Sequence, residues 1–182
     1  VAYDVSDFRE GEMPLFMIIE TDHPSCPLVD VRLRHEFTFP KPVLKMQEYR
    51  HTIGRIEEGQ TSEIVLEIGE LPPEEPVISV ASTFPGVRME LVGEAEKEGI
   101  ITRYTVKVTP PAGFHGLLYA PFTVYTTRRQ QDMFVWGLVV PKGHTGTLGP
   151  MEIVPGTCAM KWTGKPASAA SAAAPAPAPA AR

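Results

Sequence analysis

SEIVLEI, residues 62–68, alternates without a break: Ile64, Leu66 and Ile68 fall on one side, Glu63, Val65 and Glu67 on the other. A period of two is what a strand with one buried face requires, because successive side chains point to opposite faces of a sheet. A helix would scatter the same three residues around its axis. The pattern recurs on either side. In LVDVRLRHEF (28–37), Val29, Val31, Leu33 and Phe37 oppose Asp30, Arg32, Arg34 and Glu36. In IITRYTVKV (100–108), Tyr104, Val106 and Val108 oppose Arg103, Thr105 and Lys107, and VRMEL (87–91) turns Val87, Met89 and Leu91 inward. FMIIET (16–21), PVLKMQEYR (42–50), PVISVAS (76–82), LLYAPFTVYTT (117–127) and MFVWGLVV (133–140) are further strand-like runs. Pro, Gly and charged clusters separate them, and EAEKEG (94–99) reads as a charged turn.

About nine short strands with no helical stripe predict an all-β, immunoglobulin-like antiparallel β-sandwich, with a closed barrel as the competing architecture. Less than about a tenth of the body is expected to be helical. The sequence has no Asn, so its turns rest on Gly, Asp and Pro, and 15 Gly and 19 Pro are available. Residues 165–182, KPASAASAAAPAPAPAAR, cannot bury a core, and Pro175, Pro177 and Pro179 block a helix. This stretch reads as a disordered Ala/Pro-rich tail.

Composition narrows the function. A hydrophobic share of 43% with 21% charged residues is that of a folded, soluble domain. Setting aside Lys165 and Arg182 leaves 15 basic against 22 acidic residues in 1–164, a net charge of −7. So acidic a body argues against nucleic acid as a partner, where neutralised phosphates supply most of the affinity. No stretch approaches the roughly 20 apolar residues that span a bilayer. The chain opens at Val1 without Met, which leaves room for a signal peptide or anchor upstream.

Sliding the chain on itself by 105 residues brings Gly11 to Gly116, Thr21 to Thr126 and Leu33 to Leu138, and aligns Met17 with Phe122, Ile19 with Val124, Leu28 with Met133 and Val31 with Trp136. Either this is a generic hairpin pattern or the chain is part of a tandem array. In the array, 1–39 is the closing hairpin of a preceding repeat, or a pair of added strands, and 40–164 is a complete sandwich. GEMPLFMIIETDHPSCPLVDVRL, through Gly11, Thr21, Asp22, Pro24 and Pro27, resembles the closing hairpin of a bacterial Ig-like family of unknown function. That family is related to the Hydin and abnormal-spindle class. IGRIEEGQTSEIVLEI, through Gly54, Ile56 and Gly59, resembles the same family's turn before a strand, whereas Arg128 and Arg129 stand where its Asp-Pro would fall. The resemblance implies an exported, periplasmic or envelope-associated protein with a binding or scaffold role.

The residues offer little chemistry. Of the five His, at 23, 35, 51, 115 and 144, none has helical metal-ligand spacing, and His23 with Cys26 supplies only half a zinc site. His35 lies on an inward strand face, while His115 and His144 sit beside Gly in loops and are expected to be solvated. Glycoside hydrolysis needs paired carboxylates in a cleft, but Glu74–Glu75 and Glu94–Glu98 read as solvated loops. Cys158 has no His or Lys before Lys161 to activate it. No nucleophile elbow, phosphate-binding loop or dinucleotide fingerprint occurs, so no catalytic residue, metal or cofactor is assigned.

MFVWGLVV stands apart because it is apolar on both faces: Met133, Val135 and Val139 on one, Phe134, Trp136, Leu138 and Val140 on the other. Either the strand is central and covered, or one face is a binding patch. The patch would combine Phe134, Trp136 and Leu138 with Tyr119, Phe122 and Tyr125 of the preceding strand, rimmed by Arg128 and Arg129. Aromatics and Arg are enriched at interface hot spots. The expected partners are other protein subunits, with a membrane surface as an additional possibility. A non-catalytic accessory or scaffold module is the leading reading. A carbohydrate-binding module, using Trp136 with Tyr125, is the alternative, and an enzyme is the third.

Cys26 lies in a turn and Cys158 near the tail, with no local pairing logic, so the two thiols are expected to be unpaired. Intact mass under non-reducing conditions should not change on reduction. A gain of about two hydrogens would establish the disulfide and an oxidising compartment.

Overall fold

The computed structural model describes residues 16–21, 23, 28–32 and 42–164. Among them every regular element is a strand: β1 (Phe16–Glu20), β2 (Leu28–Arg32), β3 (Lys45–Met46), β4 (Arg50–Glu57), β5 (Ser62–Gly69), β6 (Val77–Ser82), β7 (Arg88–Glu98), β8 (Ile101–Thr109), β9 (Gly116–Thr126), β10 (Gln130–Val140), β11 (Met151–Ile153) and β12 (Met160–Trp162).

The alternation of 62–68 is realised as read. Ile64, Leu66 and Ile68 are buried and Val65 is 47% exposed. Beside β5, Val106 and Tyr104 of β8 pair antiparallel with Ile64 and Leu66. Side chains of this size each contribute about 1.5–3 kcal/mol when fully buried. One sheet runs β3-β5-β8-β7. In the other, β9 and β10 are central, β4 flanks β10, and β9 meets β12 near its start and β6 along its later half. Leu118, Ala120, Phe122, Val124, Met133, Val135 and Val139 of this sheet share one core with Leu66, Ile68, Val106 and Val108 of the first. The result is an immunoglobulin-like β-sandwich.

One pairing departs from the antiparallel expectation, since β4 runs parallel to β10. The first strand of the sandwich is split between the sheets. β3 pairs with β5, the backbone crosses over residues 47–49, and β4 then joins β10. Gln47 N–H still donates to Glu67 in the first sheet (3.0 Å), whereas Tyr49 C=O already accepts from Phe134 in the second (3.0 Å).

The run 94–99 also differs from its reading as a turn. Glu96, Lys97 and Glu98 pair with Arg103, Thr102 and Ile101, so β7 continues to Glu98 and the turn falls at 99–100. An irregularity between Val92 and Glu96 breaks the alternation there. Of the N-terminal segment, the structure describes a β1–β2 hairpin with Phe16 opposite Arg32. At the 105-residue offset, Pro121 would face Gly137, but it pairs with Phe134. The two hairpins therefore share strand order and differ in register. Cys26, His35, residues 33–41 and the tail 165–182 lie outside the described residues.

Ile53 forms a bulge against β10. Thr52 pairs with Trp136 and Gly54 with Gly137, leaving Ile53 as the extra residue, 4% exposed and in the core. A Cβ at Gly137 would lie 2.3 Å from Ile53 Cγ1 and 2.6 Å from the Gly54 carbonyl oxygen. Gly137→Ala should therefore destabilise the fold by about 1–3 kcal/mol, as overpacking does. Urea unfolding checks this, and a loss within about 0.5 kcal/mol, the range of an ordinary surface change, would show that the bulge yields freely.

Candidate interaction surface

The outer face of β9 and β10 changes character along its length. Leu117 pairs with Leu138, Tyr119 with Trp136, Pro121 with Phe134, Thr123 with Asp132 and Tyr125 with Gln130. At one end, Leu138 and Val140 are buried against Leu148, with Leu28, Met151 and Trp162 packed around them. The covering chain is the segment after β10, which folds back through β11 and β12, helped by the N-terminal hairpin. Glu20 accepts the Leu148 N–H (3.1 Å) and lies 3.7 Å from Arg55 Nε. Arg55 Nη2 donates to the carbonyls of His144 (3.2 Å) and Gly146 (2.9 Å).

Midway along the face the cover stops. Tyr119 is buried and stacks on half-buried Phe134, ring centroids 5.0 Å apart and 22° from parallel. These two rings and Pro121 form the floor of an open groove of about 400 Å³, between Thr83–Pro85 and Pro155–Cys158. Beyond it, Thr123 donates to Asp132 (2.8 Å), and half-buried Tyr125 lies toward the β9–β10 turn.

The residues expected to form one patch thus separate. Tyr119 and Phe134 line the groove, whereas Trp136 and Leu138 on the same face are 8% and 2% exposed. Phe122, 1% exposed, belongs to the sandwich core and leaves the patch, because its place on β9 is one residue out of phase with the outer face. The Trp136–Tyr125 row that a sugar would need is not formed. Trp136 is paired at Tyr119, six residues from Tyr125, roughly 20 Å along the strand.

The two arginines also part. Arg128 is exposed at the turn, its backbone N–H on Thr126 Oγ1 (3.2 Å). Arg129 is a structural residue. Its Nε and Nη2 donate to Glu75 Oε1 (2.7 Å) and Oε2 (2.8 Å), and Nη1 to the Val43 carbonyl (3.2 Å). Glu75, read from sequence as a solvated loop residue, is 3% exposed and also accepts from Thr126 Oγ1 (2.7 Å). The Arg129 guanidinium foremost, then the Thr126 hydroxyl, hold its carboxyl below the usual range. Next to it, buried Gln131 accepts the N–H groups of Val43 (2.7 Å) and Leu44 (3.1 Å) on one oxygen and donates to the Asp132 carbonyl (2.9 Å). Sequence reading missed Glu75, Thr126 and Gln131. The only signal available was a Gln on the inward face of an otherwise apolar strand.

The histidines differ from expectation as well. His115 and His144, expected to be solvated, flank Trp162 with ring centroids 6.5 and 5.5 Å away, and His115 Nε2 lies 2.8 Å from Glu58 Oε2. Its contact with His115 holds the Glu58 carboxyl low. Burial pushes His51 below its ordinary value, so this half-buried ring beside Phe122 is neutral at physiological pH. Burial also pushes the Cys158 thiol up, which keeps it protonated at neutral pH. Among the described residues no group of three or more His, Cys, Asp or Glu could hold a metal. No helix there is long and apolar enough to cross a membrane.

No family model matches the chain, and no curated protein matches it. Among solved structures it is similar to the ASH / PapD-like domain of human CEP192 (PapD-like domain 7), with a TM-score of 0.36 and 13% identity, over 60% of this chain and 94% of that one.

Arg129→Glu should lower the melting temperature clearly at pH 7, because it sets a second carboxylate against buried Glu75, whereas Arg128→Glu should leave it nearly unchanged. Glu75 has a folded pKa below its ordinary 4.5, so its contribution is present above that value and lost as pH falls through the folded one. Thermal melts against pH should show a shallower acid limb for Glu75→Gln. An unchanged limb would show that the carboxylate adds nothing.

Proposed function

We propose that this chain is a non-catalytic protein-interaction module, an accessory or scaffold subunit of an envelope-associated bacterial complex, and that the uncovered half of the β9–β10 outer face is its docking surface. The observation that carries this reading is the groove over Tyr119, Pro121 and Phe134. Its lining has no Asp, Glu, Lys, Arg or His, in a protein whose other strands mostly keep one polar face. Beyond Pro121 and Phe134 the same face turns polar at Thr123, Asp132 and Gln130, so an apolar centre gives way to a polar margin, as in a small interface. Arg128 adds a positive group at the near end of an otherwise acidic body and suits an acidic protein partner. The exported location, which follows the family resemblance, and the tandem arrangement of 1–39 with 40–164, which follows the 105-residue offset, belong to the same proposal.

Partners recovered with the tagged native chain from solubilised envelopes, and identified by mass spectrometry, test the reading. Combining Arg128→Glu with Tyr125→Ser should reduce recovery of the specific partner about tenfold, the consequence of losing about 1.4 kcal/mol. The melting temperature should change little, because neither side chain belongs to the core. Undiminished recovery would remove the turn end of this face, Tyr125 and Arg128, from the interface.

A further inference from the structure

We propose that the Ala/Pro-rich segment 165–182 of this same chain docks into the groove over Tyr119 and Phe134 and occupies it in the absence of a partner. This rests on the reading of that face as an interaction surface and names what regulates it. The first argument is position. The described chain ends at Gly164, just after β12, and β12 pairs with β9 at Leu117 through Met160. Tyr119, in the groove floor, is two residues further along the same strand, about 7 Å away. Pro175 follows Gly164 by 11 residues, which in extended form reach roughly 34 Å. Because β12 runs antiparallel to β9, the chain leaves Met160 heading away from Tyr119, and Gly164 lies roughly 20 Å from the groove, six residues past Cys158 on its wall. The segment must therefore turn back, and its reach to Pro175 exceeds that distance.

The second argument is chemistry. Between Pro166 and Ala181 the segment has no charged residue and offers only methyls, pyrrolidine rings and two Ser hydroxyls. The groove is matched in polarity: a stacked aromatic pair below, with Pro85 and Pro155 on opposite walls and Pro121 in the floor. Pro-rich segments favour the extended polyproline conformation, lose little entropy on docking, and are received by aromatic-lined grooves. Tethering lets a weak contact hold, because the segment is present at the high effective concentration of an intramolecular ligand. Docked in this way, the tail shields the apolar floor and a partner must displace it.

Cys158, exposed on the groove wall, supplies a reporter. In the full chain with Cys26→Ser, Cys158 is the one thiol, and its rate of modification by a maleimide reads whether the groove is filled. The comparison is the same chain carrying Pro175→Glu, Pro177→Glu and Pro179→Glu, which places charges in an apolar site and leaves the sandwich untouched. The thiol of the unaltered tail should react about tenfold more slowly, as expected of a groove occupied about nine-tenths of the time. Free peptide 165–182 added to the charged variant should restore the slow rate. Equal rates in the two chains would overturn the proposal. Protection that rises with protein concentration would overturn it too, by assigning the tail to a second copy. Since the rates are read with no partner present, failure here leaves the partner-recovery result standing, and failure there leaves this one.

Discussion

The sandwich depends on how its first residues are held against its last two long strands. Leu44 enters the core at the turn end of the β9–β10 hairpin, next to exposed Val43, and neither lies in a strand of its own. Two backbone N–H groups at that point have no ladder partner, and leaving a buried donor unpaired costs about 1–3 kcal/mol. Gln131 satisfies both with one side-chain oxygen, and Arg129 takes the Val43 carbonyl. The guanidinium is in turn oriented by Glu75, which arrives from the segment before β6, and Thr126 completes the carboxylate's shell from β9. Three stretches far apart in sequence therefore meet in one polar network beneath the hairpin tip. Such networks fix a single arrangement only when every member is paired.

From that anchor the remaining topology follows. With Leu44 fixed in the core, β3 can pair with β5, and the chain has only residues 47–49 in which to reach the opposite sheet. It arrives running parallel to β10, and the Ile53 bulge adjusts the pairing where Gly137 leaves space for the Ile53 side chain. A central β10 is the consequence, and it explains the two apolar faces of 133–140 in different ways. One face meets the facing sheet, and the other lies partly beneath the segment 141–162.

Period-two alternation was legible wherever one face is buried and the strand is regular, as in Ile64–Leu66–Ile68 and Val106–Val108. It failed in β4, which was not read as a strand, because the bulge at Ile53 and the Gly54 at positive φ place Ile53 and Ile56 three residues apart. It also failed in β7, where a charged, exposed strand end has no inward residue to mark the period. The short β11 and β12 owe their form to docking on β9 rather than to their own pattern. The candidate site was half legible for the same reason. Aromatic content pointed to the hairpin that floors the groove, and phase along β9 separates Phe122 from Tyr119, but nothing local reveals which outer-face residues the returning chain will cover. Arg129 illustrates the remaining gap. Its charge is visible in the sequence, whereas the Glu75 that engages it is 54 residues away.

The partial cover itself explains why a groove exists at all. A sheet face with Leu117, Tyr119, Phe134, Trp136 and Leu138 exposed together would be a large apolar patch on a monomer, and such patches favour aggregation. The chain after β10 removes the aliphatic end from water with Leu148, Met151 and Trp162, assisted by Leu28 of the N-terminal hairpin. It turns away at Pro155–Cys158, before the aromatic pair is capped, and the Thr83–Pro85 loop approaches from the opposite side without closing the gap. What remains uncovered is a small groove, floored by a buried and a half-buried aromatic ring whose order has already been set by packing. A ligand that fills it gives up its own freedom while the groove loses little, and that asymmetry favours a stiff, extended, uncharged segment over a flexible or charged one.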